Sequence, residues 1–198
     1  MSKNKYLITQ SLLSAWNWIY KSDKGYEDFL KTLHRKKTKP NQAMLDGQQF
    51  ENMVTAACEG ASPPEGHKWE KGILGVADSV RDGAFQVKLS RNMKVFDVDF
   101  VLYGILDVLK SGIIYDIKFS KTYHYGKYAD SPQHPMYFAL CPEARRFTYI
   151  ISDGKEVYRE PYRPDEVQPI ETEIAGFLAF LEMRGLTDVY FKNWKSKY

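Results

Sequence analysis

Two aspartates and a lysine flank a Ser-Gly pair in the stretch Tyr103-Gly-Ile-Leu-Asp107-Val-Leu-Lys110-Ser-Gly112-Ile-Ile-Tyr-Asp116-Ile-Lys118. Ile, Val, Leu and Tyr dominate both arms, which reads as two strands joined by a tight turn. A two-residue turn at Ser111-Gly112 sets Lys110 against Ile113, Leu109 against Ile114, Val108 against Tyr115 and Asp107 against Asp116. Directly opposed residues have Cβ atoms roughly 4.5–5.5 Å apart, and like charges held that way repel. Lys118, two residues past Asp116, projects from the same face. Such a trio stabilises a sheet poorly but suits a divalent cation. Magnesium takes near-octahedral oxygen, typically one or two carboxylates completed by water and phosphate. Asp107, Asp116 and the backbone carbonyl of Ile117 would supply protein oxygens. Lys118 would sit beside a metal-bound water, orienting it, lowering its pKa or stabilising charge in the transition state. The competing reading is an Asp and a Lys two apart on a solvated strand face; the facing Asp107 and the apolar setting weigh against it.

Further candidates lie on predicted helices. Asn41 can cap a helix over roughly 42–58, on which Gly47, Glu51, Val54 and Cys58 form one stripe. A carboxylate in that company is costly unless paired or bound to a metal. Glu51 is therefore either a third cation ligand or a side chain reaching the helix edge to pair with a lysine. Ser131-Pro132 opens another helix, ended by Pro142, with Gln133 and Tyr137 four apart on one ridge. That ridge reads either as a contact to a phosphodiester or base, or as an ordinary amphipathic face with Tyr137 in the core.

These residues need a scaffold. Residues 9–20 read as a short helix capped by Thr9 or Ser11, residues 59–72 as a loop rich in Gly and Pro, and 85–119 as strands. Residues 145–159 read as a second hairpin turning at Ser152-Asp-Gly-Lys155, and Ile170–Met183 as an amphipathic helix stopped by Gly185. The expected architecture is one α/β domain over 1–198: a helical part at 1–60, a sheet-containing core at 70–160, and a C-terminal helix and tail at 166–198. At 198 residues, with 43% hydrophobic and 27% charged content, the chain suits an ordinary globular domain rather than disorder. Cys58 and Cys141 stand alone, which excludes a disulfide framework, a structural zinc site and an iron–sulfur cluster. No apolar run approaches the roughly 20 residues of a membrane span. No secretory leader opens the chain, so a cytoplasmic location is expected. A net charge of +3 permits a polyanionic partner, for which Arg35, Lys36, Lys37 and Lys39, and then Lys121 and Lys127, are the best-placed cations. The segment 120–128 interleaves bases with Tyr123, Tyr125 and Tyr128; it reads either as a stacking platform for unpaired bases or as a surface loop with its rings tucked in. The tail from Tyr190 to Tyr198 reads either as a similar platform or, by preference, as a tail packed on the domain.

Glu51 within Gly47-Gln-Gln-Phe50-Glu51, then Gly104-Ile-Leu-Asp107, Asp116-Ile-Lys118 and Gln133-His-Pro-Met-Tyr137, resemble the RecB-type branch of the PD-(D/E)xK nuclease superfamily. That branch shows a helical Glu or His, a G-x-x-D strand, a D-x-K strand and a Q-x-x-x-Y helix in this order, here across residues 44–140. The resemblance implies a restriction-endonuclease-like core, a small mixed sheet flanked by helices, and Mg2+- or Mn2+-dependent hydrolysis of DNA. On it, Glu51, Asp107 and Asp116 are the metal-binding acids, Lys118 the catalytic lysine, and Gln133 and Tyr137 a DNA-binding and site-organising pair. Several members carry four cysteines for an iron–sulfur cluster, which this chain lacks. The expected activity is a stand-alone deoxyribonuclease, an exonuclease by preference, that leaves 5′-phosphates and works on its own, as a homo-oligomer, or beside a recombination or defence protein. The alternatives are a catalytically silent nucleic-acid-binding subunit and, more weakly, a phosphoesterase acting on small nucleotides.

Overall fold

The structure is a computed structural model that describes residues 4–197. In chain order its elements are β1 (Tyr6–Thr9), α1 (Gln10–Asn17), α2 (Gly25–Leu33), α3 (Gln42–Cys58), α4 (Glu70–Val80), β2 (Ala84–Val95), β3 (Val98–Lys110), β4 (Ile113–Phe119), α5 (Gln133–Leu140), β5 (Arg146–Ser152), β6 (Val157–Tyr162), α6 (Ile170–Met183) and α7 (Thr187–Asn193). The fold is α/β, a six-stranded mixed sheet flanked by helices on both faces. The strands run in the order β1-β3-β4-β5-β6, and β2 pairs with β3 off that path. β1 with β3 and β4 with β5 are parallel, and the remaining pairs are antiparallel.

Local chemistry accounts for most of these boundaries. Thr9 and Asn41 accept the Leu12 and Met44 amides and so cap α1 and α3, satisfying donors the first turn would leave orphaned. Ser111 and Gly112 both adopt positive φ, +50° and +72°, as a type I′ hairpin turn demands. The resulting register is Lys110 with Ile113, Leu109 with Ile114 and Val108 with Tyr115. Helix α6 ends at Met183, and Gly185 follows at φ +65°.

Three elements go beyond the sequence expectation. The N-terminal part is not purely helical, because Tyr6–Thr9 pairs with Phe100–Tyr103 and joins the sheet. Helix α2 buries Phe29 and Leu33. Helix α4 starts at Glu70, inside the span expected to be loop, and buries Ile73, Val76, Ala77 and Val80. Gly72 is required there: a Cβ would fall 2.7 Å from the Gly154 carbonyl carbon in the β5–β6 turn.

Two hydrophobic cores lie on opposite faces of the sheet. Helices α3 and α4 cover one through Phe50, Val54, Trp69, Ile73, Val76 and Val80. The larger core joins α1, α2, α5, α6 and α7 to the other face around Phe100, Leu106, Phe147, Tyr149 and Phe177. The C-terminal residues belong to it, with Tyr190 and Trp194 buried; Tyr198 lies outside the described residues. Among the described residues no helix is long and apolar enough to cross a membrane.

Candidate functional site

The site forms where β3 changes neighbours. Strand β2 occupies one edge of β3 along almost its whole length, so the other edge must take both β1, at Phe100–Tyr103, and β4, at Val108–Lys110. Between them the edge of residues 104–107 carries no strand. At the end of this gap β3 also kinks. Val87 and Leu106 pack with the larger core, whereas the next pair, Phe85 and Val108, packs under α3 and α4. A regular strand would keep residues two apart on one face. The residues between these pairs are Gln86, at φ +52°, and Asp107.

The kink alters the expected meeting of Asp107 and Asp116. The β3–β4 ladder stops at Val108–Tyr115, one pair short. In place of the next backbone pair, Asp107 Oδ2 accepts the Ile117 amide at 2.9 Å. Asp116, 1% exposed, ion-pairs through Oδ2 with Lys118 Nζ at 2.5 Å and accepts the Gln133 side-chain amide on Oδ1. Among the described residues Oδ2 of Asp116 is one of two buried side-chain polar atoms with no hydrogen bond of ordinary geometry. Burial and the neighbouring Asp116 charge hold Asp107 well above the usual carboxylate range. Burial also raises Asp116, but Lys118 and Gln133 favour its charged form. Burial alone would lower Lys118; Asp116 and Asp107 outweigh it and hold the ammonium above its ordinary range, so it is charged at neutral pH.

Glu51 approaches from α3. Its carboxyl is raised by burial and then by Asp116, and it accepts a hydrogen bond from Gln86 Nε2 on Oε1 at 2.9 Å. Its partner is thus a glutamine rather than a lysine. Nothing in the alternation of residues 85–89 singles out Gln86, whose importance comes from the kink. Among the described residues no three His, Cys, Asp or Glu side chains stand close enough together to hold a metal ion as placed. The donor chemistry nonetheless fits a hard cation: a buried and a half-buried carboxylate close enough to influence each other, and a third carboxylate within electrostatic reach.

Gln133 and Tyr137 are both 5% exposed and spend their polar groups on the site. Gln133 holds Asp116, and Tyr137 Oη donates to the Ile105 carbonyl at 2.8 Å. In this arrangement both side chains are turned into the site and hold its elements together. Gly104 makes the arrangement possible: a Cβ there would lie 2.9 Å from Tyr137 Cε1 and 2.8 Å from Leu140 Cδ1.

The expected cations divide into two groups. Lys121, 73% exposed, pairs with Asp46 at 3.4 Å and helps line a groove of about 380 Å³ with Gln42, Phe119, Lys127 and Tyr128. Lys127 reaches back 2.6 Å to both Ser120 Oγ and the Thr122 carbonyl. Arg35 lies over the Trp194 ring at 4.5 Å and bonds the Asn193 carbonyl, while Lys36, Lys37 and Lys39 are exposed on the α2–α3 connection. In the 120–128 loop the rings are mostly tucked in. Tyr123 bonds buried Glu160 and Tyr128 stacks on Tyr149 at 4.8 Å, leaving Tyr125 77% exposed.

No family model and no curated protein sequence matches the chain. A solved structure titled "Crystal structure of SSO0001" is similar, with a TM-score of 0.53 and 12% sequence identity over 91% of this chain and 78% of that chain. At that identity the likeness concerns the fold alone.

Proposed function

We propose that the chain is a divalent-cation-dependent deoxyribonuclease, an exonuclease by preference, that hydrolyses phosphodiester bonds and leaves 5′-phosphates. One observation carries this reading: half-buried Asp107 and buried Asp116 come together where the β3–β4 ladder opens, with the Lys118 ammonium against Asp116 Oδ2. Buried charges placed at this cost are characteristic of functional sites. The ordered motifs quoted above, read onto a mixed sheet with flanking helices, support a restriction-endonuclease-like core. Asp107, Asp116 and the Ile117 carbonyl would hold Mg2+ or Mn2+, with Glu51 closing from α3. When bound, the cation supplies Lewis-acid polarisation of the phosphoryl oxygen and lowers the pKa of the attacking water.

The chain's own groups do the rest. Lys118, held charged, stabilises negative charge developing on the phosphate rather than abstracting a proton. Gln133 fixes the Asp116 carboxylate, and Tyr137 fixes the edge of β3 beside Asp107. Lys121 and the exposed lysines at 36, 37 and 39 provide charge for the nucleic-acid backbone.

End-labelled DNA incubated with the purified protein and Mg2+ tests the reading. Wild type should degrade it, and Asp116→Ala and Lys118→Ala should each abolish cleavage while circular dichroism shows an intact fold. Full activity in either variant would sink the assignment. The second reading, a nucleic-acid-binding subunit without turnover, is favoured by the absence of a ready three-carboxylate cluster among the described residues. Retention of the label in a stable complex, with no breakdown in Mg2+ or Mn2+, would identify it.

A further inference from the structure

We propose that Gln86 is a positioning residue that aims the Glu51 carboxylate at the Asp107–Asp116 pair, a role that rests on the cation-dependent reading above. Gln86 stands between the Phe85–Val108 and Val87–Leu106 pairs, opposite Asp107, yet forms no ladder pair itself. Its φ of +52° is left-handed, a conformation that costs a non-glycine residue on the order of 1–3 kcal/mol and persists where the surroundings impose it, commonly at active sites. Here the consequence is visible. The turned-out residue reaches from β2 to α3, and its amide donates to Glu51 Oε1 at 2.9 Å.

The choice of a neutral amide has a physical reason. A lysine or arginine in that place would orient Glu51 equally well, but its charge would compete with a cation for the same carboxylate. A glutamine supplies the hydrogen bond and leaves the negative charge uncompensated. The bond takes Oε1 and leaves Oε2 for a cation. Without Gln86, Glu51 would have to lose the freedom of its own rotamers on binding the ion, which opposes affinity. Partners that hydrogen-bond a ligating carboxylate typically contribute about 10–100-fold in metal affinity.

The test uses Mn2+ alone as probe, titrated into the full chain and followed by the electron paramagnetic resonance signal of free Mn2+, with melting temperature measured in parallel. Gln86→Gly keeps the backbone at ease at positive φ and removes only the side chain. It should raise the Mn2+ dissociation constant about 10–100-fold with a melting temperature equal to or above wild type. Gln86→Asn, also tolerant of positive φ but one methylene short of Glu51, should follow it. Equal Mn2+ affinity in wild type and Gln86→Gly would overturn the role of Gln86. So would a loss of affinity matched by a fall in melting temperature, which marks a purely structural residue. Wild-type binding indistinguishable from that of Asp116→Ala would instead remove the cation-dependent reading itself, and this inference with it.

Discussion

Lys118→Met isolates the electrostatic core of the site. The substitution keeps most of the aliphatic stem and deletes the ammonium 2.5 Å from Asp116 Oδ2. Asp116 is then a buried carboxylate that keeps the hydrogen bond from the Gln133 amide. Removing one member of a buried pair costs about 3–5 kcal/mol if the other stays charged. Asp116 can instead fold protonated. That route costs about 1.4 kcal/mol per pH unit above an unfolded pKa of about 3.9, or about 4 kcal/mol at pH 7 and about 1.5 kcal/mol at pH 5. Lys118 is 31% exposed, so solvent screening lowers the loss expected at pH 7 to about 2–4 kcal/mol. The variant's folded state binds a proton that its unfolded state releases above about pH 3.9, so its deficit against wild type must widen as pH rises. Urea denaturation at pH 5 and pH 7 of wild type, Lys118→Met, Asp116→Asn and the double variant measures this. The double variant should recover most of the loss at pH 7. A deficit that does not change with pH, or a double variant no more stable than Lys118→Met, would refute the reasoning.

Other outcomes follow from the same geometry. Asp107→Asn can still accept the Ile117 amide and removes a carboxyl whose folded pKa is raised. Wild-type stability should therefore decline as pH climbs past about 3.9, so the variant should melt higher at pH 8, match wild type near pH 4, and be inactive on DNA. Gly104→Ala pushes a methyl against Tyr137 and Leu140 and should cost about 1–3 kcal/mol in chemical denaturation. Glu160→Ala strips the acceptor from Tyr123, Tyr162 and the Gly126 amide. It should destabilise by about 1–3 kcal/mol, with the loss of amide-exchange protection centred on Gly126 rather than on β4.

What could be read ahead of the structure is what local chemistry decides. The Asn41 cap, the Ser111-Gly112 turn with its register, and the apolar period of Ile170–Met183 all rest on neighbours within a few residues. Tyr6–Thr9 is only four residues long and becomes a strand by pairing with Phe100–Tyr103 far along the chain. Helix α4 carries Gly72 and Gly75, poor helix formers that its packing demands, since a Cβ at either would collide with the β5–β6 hairpin. The site divides the same way. The residue types and their order are visible in the chain, but register counting alone carries the ladder one pair too far. It runs through Asp107, where both strands change face. That kink also hid Gln86, whose link to Glu51 spans 35 residues.

Crystals soaked in Mn2+ test most directly whether a cation binds between the two strands. An anomalous peak ligated by carboxylate oxygens of both Asp107 and Asp116, and absent from Asp116→Ala crystals, is the predicted result. Mn2+-dependent DNA cleavage by protein whose crystals hold the ion elsewhere, or show no peak at those aspartates, would contradict it.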